Sequence, residues 1–297
     1  METLSIFLLT VGFTLSFVGV VGNLIIISFL IKKKGMKNKL NRILFTNLAV
    51  ADLSVLLFFH TYQALSMTAL IQESNITCRV VQPISYAFVT VSVMSLLLIS
   101  FHRHRVITRE MDQEWSETKS VFIILFIWLG SFVSTVPMEV LFYEYEKVTS
   151  LCIFSMNQMI SNVYYALITL ATCVFPLIAI LVLFIRMKII LKRSVRFQQQ
   201  ATSVGFKKNL KAVKILLPVV VVYWATTFPY FLLDLTYFLS AINLQFFSSD
   251  KYDFLSYIGI ILLTTNSAAN PFIYVIVSRE FKQALKNSIK ISSTNDR

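Results

Sequence analysis

FLSYIGIILLTTNSAANPFIYVIVS, residues 254–278, contains no charged side chain and is longer than the roughly 20 apolar residues that carry a helix across a bilayer. Its middle is unusual for such a helix. NSAANPFIY, residues 266–274, puts two asparagines, a serine and a helix-kinking proline where lipid can satisfy none of them. Polar groups persist in a span where they turn toward other helices or toward water, so this stretch reads as one inward-facing member of a bundle.

The other members are legible in the same way. Hydrophobic residues make up 56% of the 297 and charged residues only 14%, which sets the chain apart from ordinary soluble domains. Further charge-free runs extend from Leu4 to Ile31, Val80 to Phe101, Val121 to Met138, Val148 to Ile185 and Ile215 to Leu233, and Ile43 to Ile71 is broken only by Asp52. The expectation is an all-α membrane protein, one seven-helix domain over residues 1–297. Its spans fall at about 4–31, 41–70, 79–106, 119–141, 157–190, 209–238 and 253–278, with a short tail, 279–297, after the last. No internal repeat or separate domain is visible.

Every lysine and arginine except Arg79, Lys147 and Lys251 lies in the loops after spans one, three and five or in the tail. The positive-inside rule then puts the N-terminus outside. With no basic n-region and no small-residue cleavage site, span one is expected to act as an uncleaved signal anchor. The net charge of +12 is mostly this asymmetry, with KKKGMKNKLNR (32–42) and KRSVRF (192–197) facing anionic lipid, so nucleic acid is not an expected partner.

Cys78 at the start of span three and Cys152 in the second outer loop share the oxidising side, and a bridge between them is the expected pairing, two free thiols the alternative. Cys173, inside span five, reads as a small buried apolar residue. Asp52 lies mid-span, where an ionisable group costs at least a few kcal/mol unless it pairs or meets water. Asn23, Ser92, Asn266, Ser267 and Asn270 sit at depths that can meet it, and Asn266 and Asn270 share a helix face at i, i+4. These residues predict a polar, water-holding cluster at the bundle centre, serving either as helix glue or as an ion site.

Ordered landmarks run through the whole chain: Gly22-Asn23, NLAVADL ending at Asp52-Leu53, Cys78, Trp128, Cys152, Pro176, Phe228-Pro229-Tyr230 and Asn270-Pro271-Phe272-Ile273-Tyr274. Together they resemble a rhodopsin-like (class A) G-protein-coupled receptor, of the orphan or peptide-receptor kind. The resemblance implies a multi-pass plasma-membrane receptor for an extracellular ligand, with a heterotrimeric G protein and arrestin as partners and a short amphipathic cytoplasmic helix after span seven. It also implies that the proline of NPFIY bends span seven, that Asn270 joins the buried cluster and that Tyr274 swings inward on activation. Gln82, Ser85, Tyr86, Tyr230, Phe231 and Asp234 would line the ligand pocket. No cofactor is expected. The oxygens of Asp52, Ser92, Asn266, Ser267 and Asn270 form a hard-ligand set suited to an allosteric sodium ion.

The departures from the family pattern carry information of their own. Where Asp-Arg-Tyr is usual at the inner end of span three, this chain has His102-Arg103-His104. The arginine that reaches toward the G protein is kept, but His102, neutral or positive near pH 7, cannot hold it as a carboxylate would. Span six offers Asn209 rather than an acid at about that depth. The resemblance then implies raised basal signalling. Thr227 stands where span six usually has tryptophan, with Trp224 one turn earlier, and Phe184 replaces the usual tyrosine of span five.

Thr264 occupies the place of an opsin's retinal-binding lysine and Ser85 that of an amine receptor's aspartate, which argues against both ligand classes. The outer rim, with Glu139, Glu144, Glu146, Asp234, Asp250 and Asp253, would attract a basic peptide or cationic small molecule, or would be no more than solvated charge. A transporter or channel built around Asp52 is the alternative function, and it would be expected to carry a repeat. Enzymatic activity is not expected. His60, His102 and His104 do not compose a catalytic or metal set, since the last two lie at i, i+2 on different sides of a helix.

Overall fold

A computed structural model describes residues 2–31, 39–67, 71, 74–108, 116–147, 151–154, 158–197, 218–233 and 249–277. It is a helical bundle. Span one is α1 (Glu2–Ile31). Span two runs through α2 (Lys39–Ser54), a wide π turn (Val55–His60) and α3 (Thr61–Met67). Span three enters through a second π turn (Thr77–Val81) and continues as α4 (Gln82–Thr108). Span four is α5 (Glu117–Phe142), with the Ser116 side chain accepting from the Lys119 amide as its N-cap. Span five is α6 (Gln158–Thr169), a third π turn (Leu170–Val174) and α7 (Phe175–Phe197). The described part of span six is α8 (Pro218–Leu233), and span seven is α9 (Ser249–Val277).

Six of these segments are long and apolar enough to cross a membrane, and α8 is a shorter apolar helix. Large side chains such as Phe17, Phe126, Leu129 and Ile276 are between 65% and 75% exposed on the outside of the bundle. In water that much outward apolar surface would be a liability, whereas in lipid it is the solvent-facing side. The amphipathic helix expected after span seven, and the tail, lie outside the described residues.

Span one lies against span seven through glycine. A Cβ on Gly19 would stand 2.8 Å from the Ala268 Cβ, and one on Gly22 would stand 3.0 Å from the Pro271 ring. Small residues at such a crossing let two backbones approach closely, which is the main source of helix affinity in lipid. Pro271 and Pro137 sit inside helices without ending them, as prolines in spans do where neighbours re-satisfy the freed carbonyls.

The all-α expectation needs one amendment. Between spans four and five the chain forms an antiparallel pair, β1 (Tyr143–Glu146) with β2 (Leu151–Phe154), in which Tyr145 faces Cys152. The expected Cys78–Cys152 disulfide is present, with Cα atoms 5.5 Å apart, and ties this hairpin to the start of span three. Arg79 reinforces the join. Its Nε donates to the Tyr143 carbonyl at 2.5 Å and its guanidinium pairs with Glu144 at 2.9 Å. Cys173 is a buried free thiol. At the opposite end of the bundle, Lys39 and Glu117 form an ion pair between spans two and four.

Candidate functional site

Three layers of polar and aromatic side chains run along the bundle axis. The middle one is centred on Asp52, which is wholly buried. Span three supplies the Ser92 hydroxyl, donating to Oδ1 at 2.8 Å, and span seven supplies the Asn270 amide, donating to Oδ2 at 2.7 Å. Ser267, one helical turn before Asn270 on the same face, adds a further side-chain hydrogen bond. Asn23 reaches across from span one, donating to the carbonyls of Gly19 (2.9 Å) and Ser267 (3.1 Å), while its own Oδ1 is buried without a hydrogen-bond partner. Asn266 is buried one turn earlier in span seven but makes no hydrogen bond to Asp52 among the described residues.

A second polar node, Asn47, was not singled out in the sequence. Its amide donates to the Ser95 hydroxyl at 2.7 Å and its Oδ1 accepts from Trp128 at 2.9 Å, so one side chain joins spans two, three and four. The first residue of NLAVADL was the available signal.

Toward the disulfide end, the expected pocket residues meet partners that the sequence did not indicate. Phe59 is fully buried, with its ring 5.5 Å from that of Tyr86 and 6.1 Å from that of Tyr230. Phe231 packs edge-on to Tyr230 at 5.3 Å. The Tyr62 hydroxyl donates to Gln82 and the Gln63 amide donates to the Tyr86 hydroxyl, both at 3.3 Å. Ser85 is buried, but its hydroxyl turns back to the Val81 carbonyl at 2.7 Å and is occupied within its own helix. Asp234 lies outside the described residues. Deeper still, His60 Nδ1 and Thr264 Oγ1 lie 2.8 Å apart, linking spans two and seven.

The acidic rim is smaller than its residue count implied. Glu139 is 5% exposed, because span four continues through Phe142 and carries it inside the bundle. Glu144 is already paired with Arg79. The side chains of Asp234, Asp250 and Asp253 lie outside the described set.

At the far end, His102 and His104 are buried at 4% and 8% exposure, and Arg103 lies between them with its guanidinium over the Phe45 ring at 5.9 Å. Phe45 in turn stands edge-on to Tyr274 at 4.9 Å. Arg103 of span three and Tyr274 of NPFIY thus share one aromatic neighbour. In span six, Thr227 is fully buried, and Trp224 packs against the core while stacking on Phe228 at 5.4 Å.

The family model described as 7 transmembrane receptor (rhodopsin family) matches residues 22–274. The chain belongs to that family. The receptor is accordingly a multi-pass protein of the plasma membrane. Among known proteins it is similar to the human urotensin-2 receptor, with 24% identity covering 82% of this chain and 62% of that protein. It is similar also to the neuropeptide Y receptor type 2 of Cavia porcellus, at 27% identity over 94% of this chain and 74% of that receptor. The human melanin-concentrating hormone receptor 2 shares 26% identity over 90% of this chain and 79% of its own length. This receptor's sequence thus spans less than two thirds of the length of the urotensin-2 receptor it matches.

Proposed function

We propose that this receptor binds an extracellular peptide at the disulfide end and activates heterotrimeric G proteins at the Arg103 end. The observation that carries the reading is the continuity between those ends. Tyr86, Tyr230 and Phe59 surround one end of the axis, Asp52 and Asn270 join spans two and seven in the middle, and Arg103 and Tyr274 meet on Phe45 at the other. A ligand that packs differently against spans two, three and six in two states shifts their populations by its differential affinity. The relatives are named as receptors for urotensin-2, neuropeptide Y and melanin-concentrating hormone, which supports a peptide as the ligand class. The hairpin pinned to span three would form the floor on which an extended peptide rests. In this reading the N-terminus is outside, arrestin is a further cytoplasmic partner, and the receptor has no catalytic step of its own.

The same reading assigns a sodium ion to the middle layer in the inactive state. The Asp52 carboxylate, the Ser92 and Ser267 hydroxyls and the orphaned Asn23 Oδ1 are hard oxygen donors, and they fit a small cation with water completing its shell. Asp52, Ser92 and Ser267 would hold the ion, which would favour whichever packing keeps these oxygens together.

The test is a G-protein dissociation sensor in cells expressing the receptor, challenged with a peptide library that includes basic and amidated sequences. A saturable response that is lost on Tyr86→Ala or Tyr230→Ala supports the reading. A library without any active member, beside active small organic cations, would replace the peptide with that class.

A further inference from the structure

We propose that Ser16 of span one is a positioning residue for the ligand pocket: through the Leu56 carbonyl it holds the wide π turn of span two, and so keeps Tyr62 and Gln63 facing span three. The inference rests on the pocket proposed above and names what fixes its shape. Hydroxyls inside these spans otherwise follow a local rule, since Thr10, Thr14, Thr90 and Thr264 each donate to the carbonyl four residues earlier in their own helix, at 2.7–3.2 Å. Ser16 breaks it. Buried at 7% exposure, it donates across to the Leu56 carbonyl of span two at 3.2 Å. Thr61 breaks it too, reaching back five residues to the same carbonyl at 3.3 Å, while its amide donates to the Phe58 carbonyl. Two hydroxyls thus converge on one carbonyl, and one of them belongs to another span.

Span one fits the turn closely at both ends. A Cβ on Gly12 would stand 2.9 Å from His60 Cε1, and one on Gly19 would stand 2.8 Å from Leu56 Cδ1. Gly12, Ser16 and Gly19 lie at i, i+4 and i+7 on one face of α1, so the glycines admit the turn and the serine supplies its donor. Span seven holds the other side through Thr264 and His60 Nδ1, 2.8 Å apart. Without the Ser16 hydroxyl a buried carbonyl loses a hydrogen bond, and a regular turn, in which each carbonyl takes the amide four residues on, becomes the competing state. That state has one residue fewer in the turn and rotates the rest of span two by about 100°. Tyr62 would then take the direction that Gln63 now has, and the Tyr62–Gln82 and Gln63–Tyr86 hydrogen bonds, both 3.3 Å, would be lost.

The test labels cysteines from outside intact cells with a biotinylated, membrane-impermeant methanethiosulfonate, in the full chain carrying Cys173→Ala. Two positions are compared at matched surface expression, Tyr62→Cys and Gln63→Cys. Gln63→Cys should react readily, whereas Tyr62→Cys, at a position only 5% exposed, should react only through the regular-turn state. Removing one hydroxyl favours that state by about fivefold, so Ser16→Ala should raise Tyr62→Cys labelling by that factor and leave Gln63→Cys labelling equal or lower. Thr61→Val removes the other donor and should act alike, so misfolding of one variant leaves the other as the test. Ser16→Thr keeps the hydroxyl and should leave both rates at the parent level. A bundle that is merely loosened would expose both positions together. An unchanged Tyr62→Cys rate in the folded variants, or a rise at both positions, would overturn the inference. The expected pattern in a receptor that gives no G-protein response to any peptide would uphold the positioning role of Ser16 and contradict only the function proposed above.

Discussion

Asn270 in span seven donates to the Asp52 carboxylate in span two at 2.7 Å, across a separation of 218 residues. A buried carboxylate with directed donors from spans three and seven constrains how those helices pack, because losing either donor leaves a buried acceptor unsatisfied. If sodium occupies the layer, replacing it by potassium should lower the melting temperature of the purified receptor and raise its ligand-free activity, and Asp52→Asn should abolish both responses. Identical behaviour in the two salts would leave Asp52 a packing residue only.

The disulfide closes a loop of 74 residues and pins the hairpin to span three. On the chain-entropy account such a closure stabilises by about 3–5 kcal/mol. Cys78→Ala and Cys152→Ala should each lower surface expression strongly and to the same extent, since each removes the same bond. Cys173→Ala should be close to silent. Flow cytometry of an epitope-tagged receptor distinguishes these outcomes.

The contact between spans one and seven makes a sharper packing prediction. Gly19→Leu places atoms where the Ala268 backbone already stands, 2.9 Å from the position of the new Cβ, and backbone cannot give way as a flexible side chain can. Thermal unfolding should show a loss of about 1–3 kcal/mol or more, as for other overpacked sites. Gly130→Leu, whose Cβ meets nothing within 4 Å, is the control and should change little.

Tyr223 on span six is fully buried, and its hydroxyl has no hydrogen-bond partner among the described residues. Removing a buried, unsatisfied polar atom relieves its desolvation cost, so Tyr223→Phe should stabilise by about 1 kcal/mol in a thermal-shift assay. A loss of stability would mean that the hydroxyl is held by water inside the bundle.

Much of the fold was legible in the sequence because lipid imposes simple rules. Charge-free runs set the spans, shared compartment set the disulfide, and the cost of a buried acid marked Asp52. The residues that escaped notice share a physical cause. The π turn at Val55–His60 adds a residue to a helical turn and rotates the remainder of span two about its axis. Tyr62 and Gln63 therefore meet span three, and His60 meets Thr264, on faces that a regular 3.6-residue period does not indicate. Glu139 was misread for a different reason. An acid near the outer end of a span reads as part of the rim, yet span four continues three residues beyond it and its side chain is buried. The pairing of Tyr143–Glu146 with Leu151–Phe154 depends on tertiary anchoring at Cys152 and Arg79, and no local period announces it.

In the function proposed above, this receptor activates G proteins through Arg103. His102 is buried beside that arginine in the place where the family usually keeps an acid, and an acid there would add to the inactive state a charge-assisted hydrogen bond worth about 1.5–3 kcal/mol. Losing that bias raises the active fraction by about 10- to 100-fold when the resting state is strongly inactive. The most direct measurement is ligand-free nucleotide exchange on heterotrimeric G proteins in membranes bearing the parent, His102→Asp or Arg103→Ala at matched surface levels, beside membranes without receptor. Signalling through Arg103 predicts exchange well above background for the parent, a marked fall for His102→Asp, and background for Arg103→Ala. Exchange by the parent no higher than in receptor-free membranes, or an Arg103→Ala receptor as active as the parent, would contradict it.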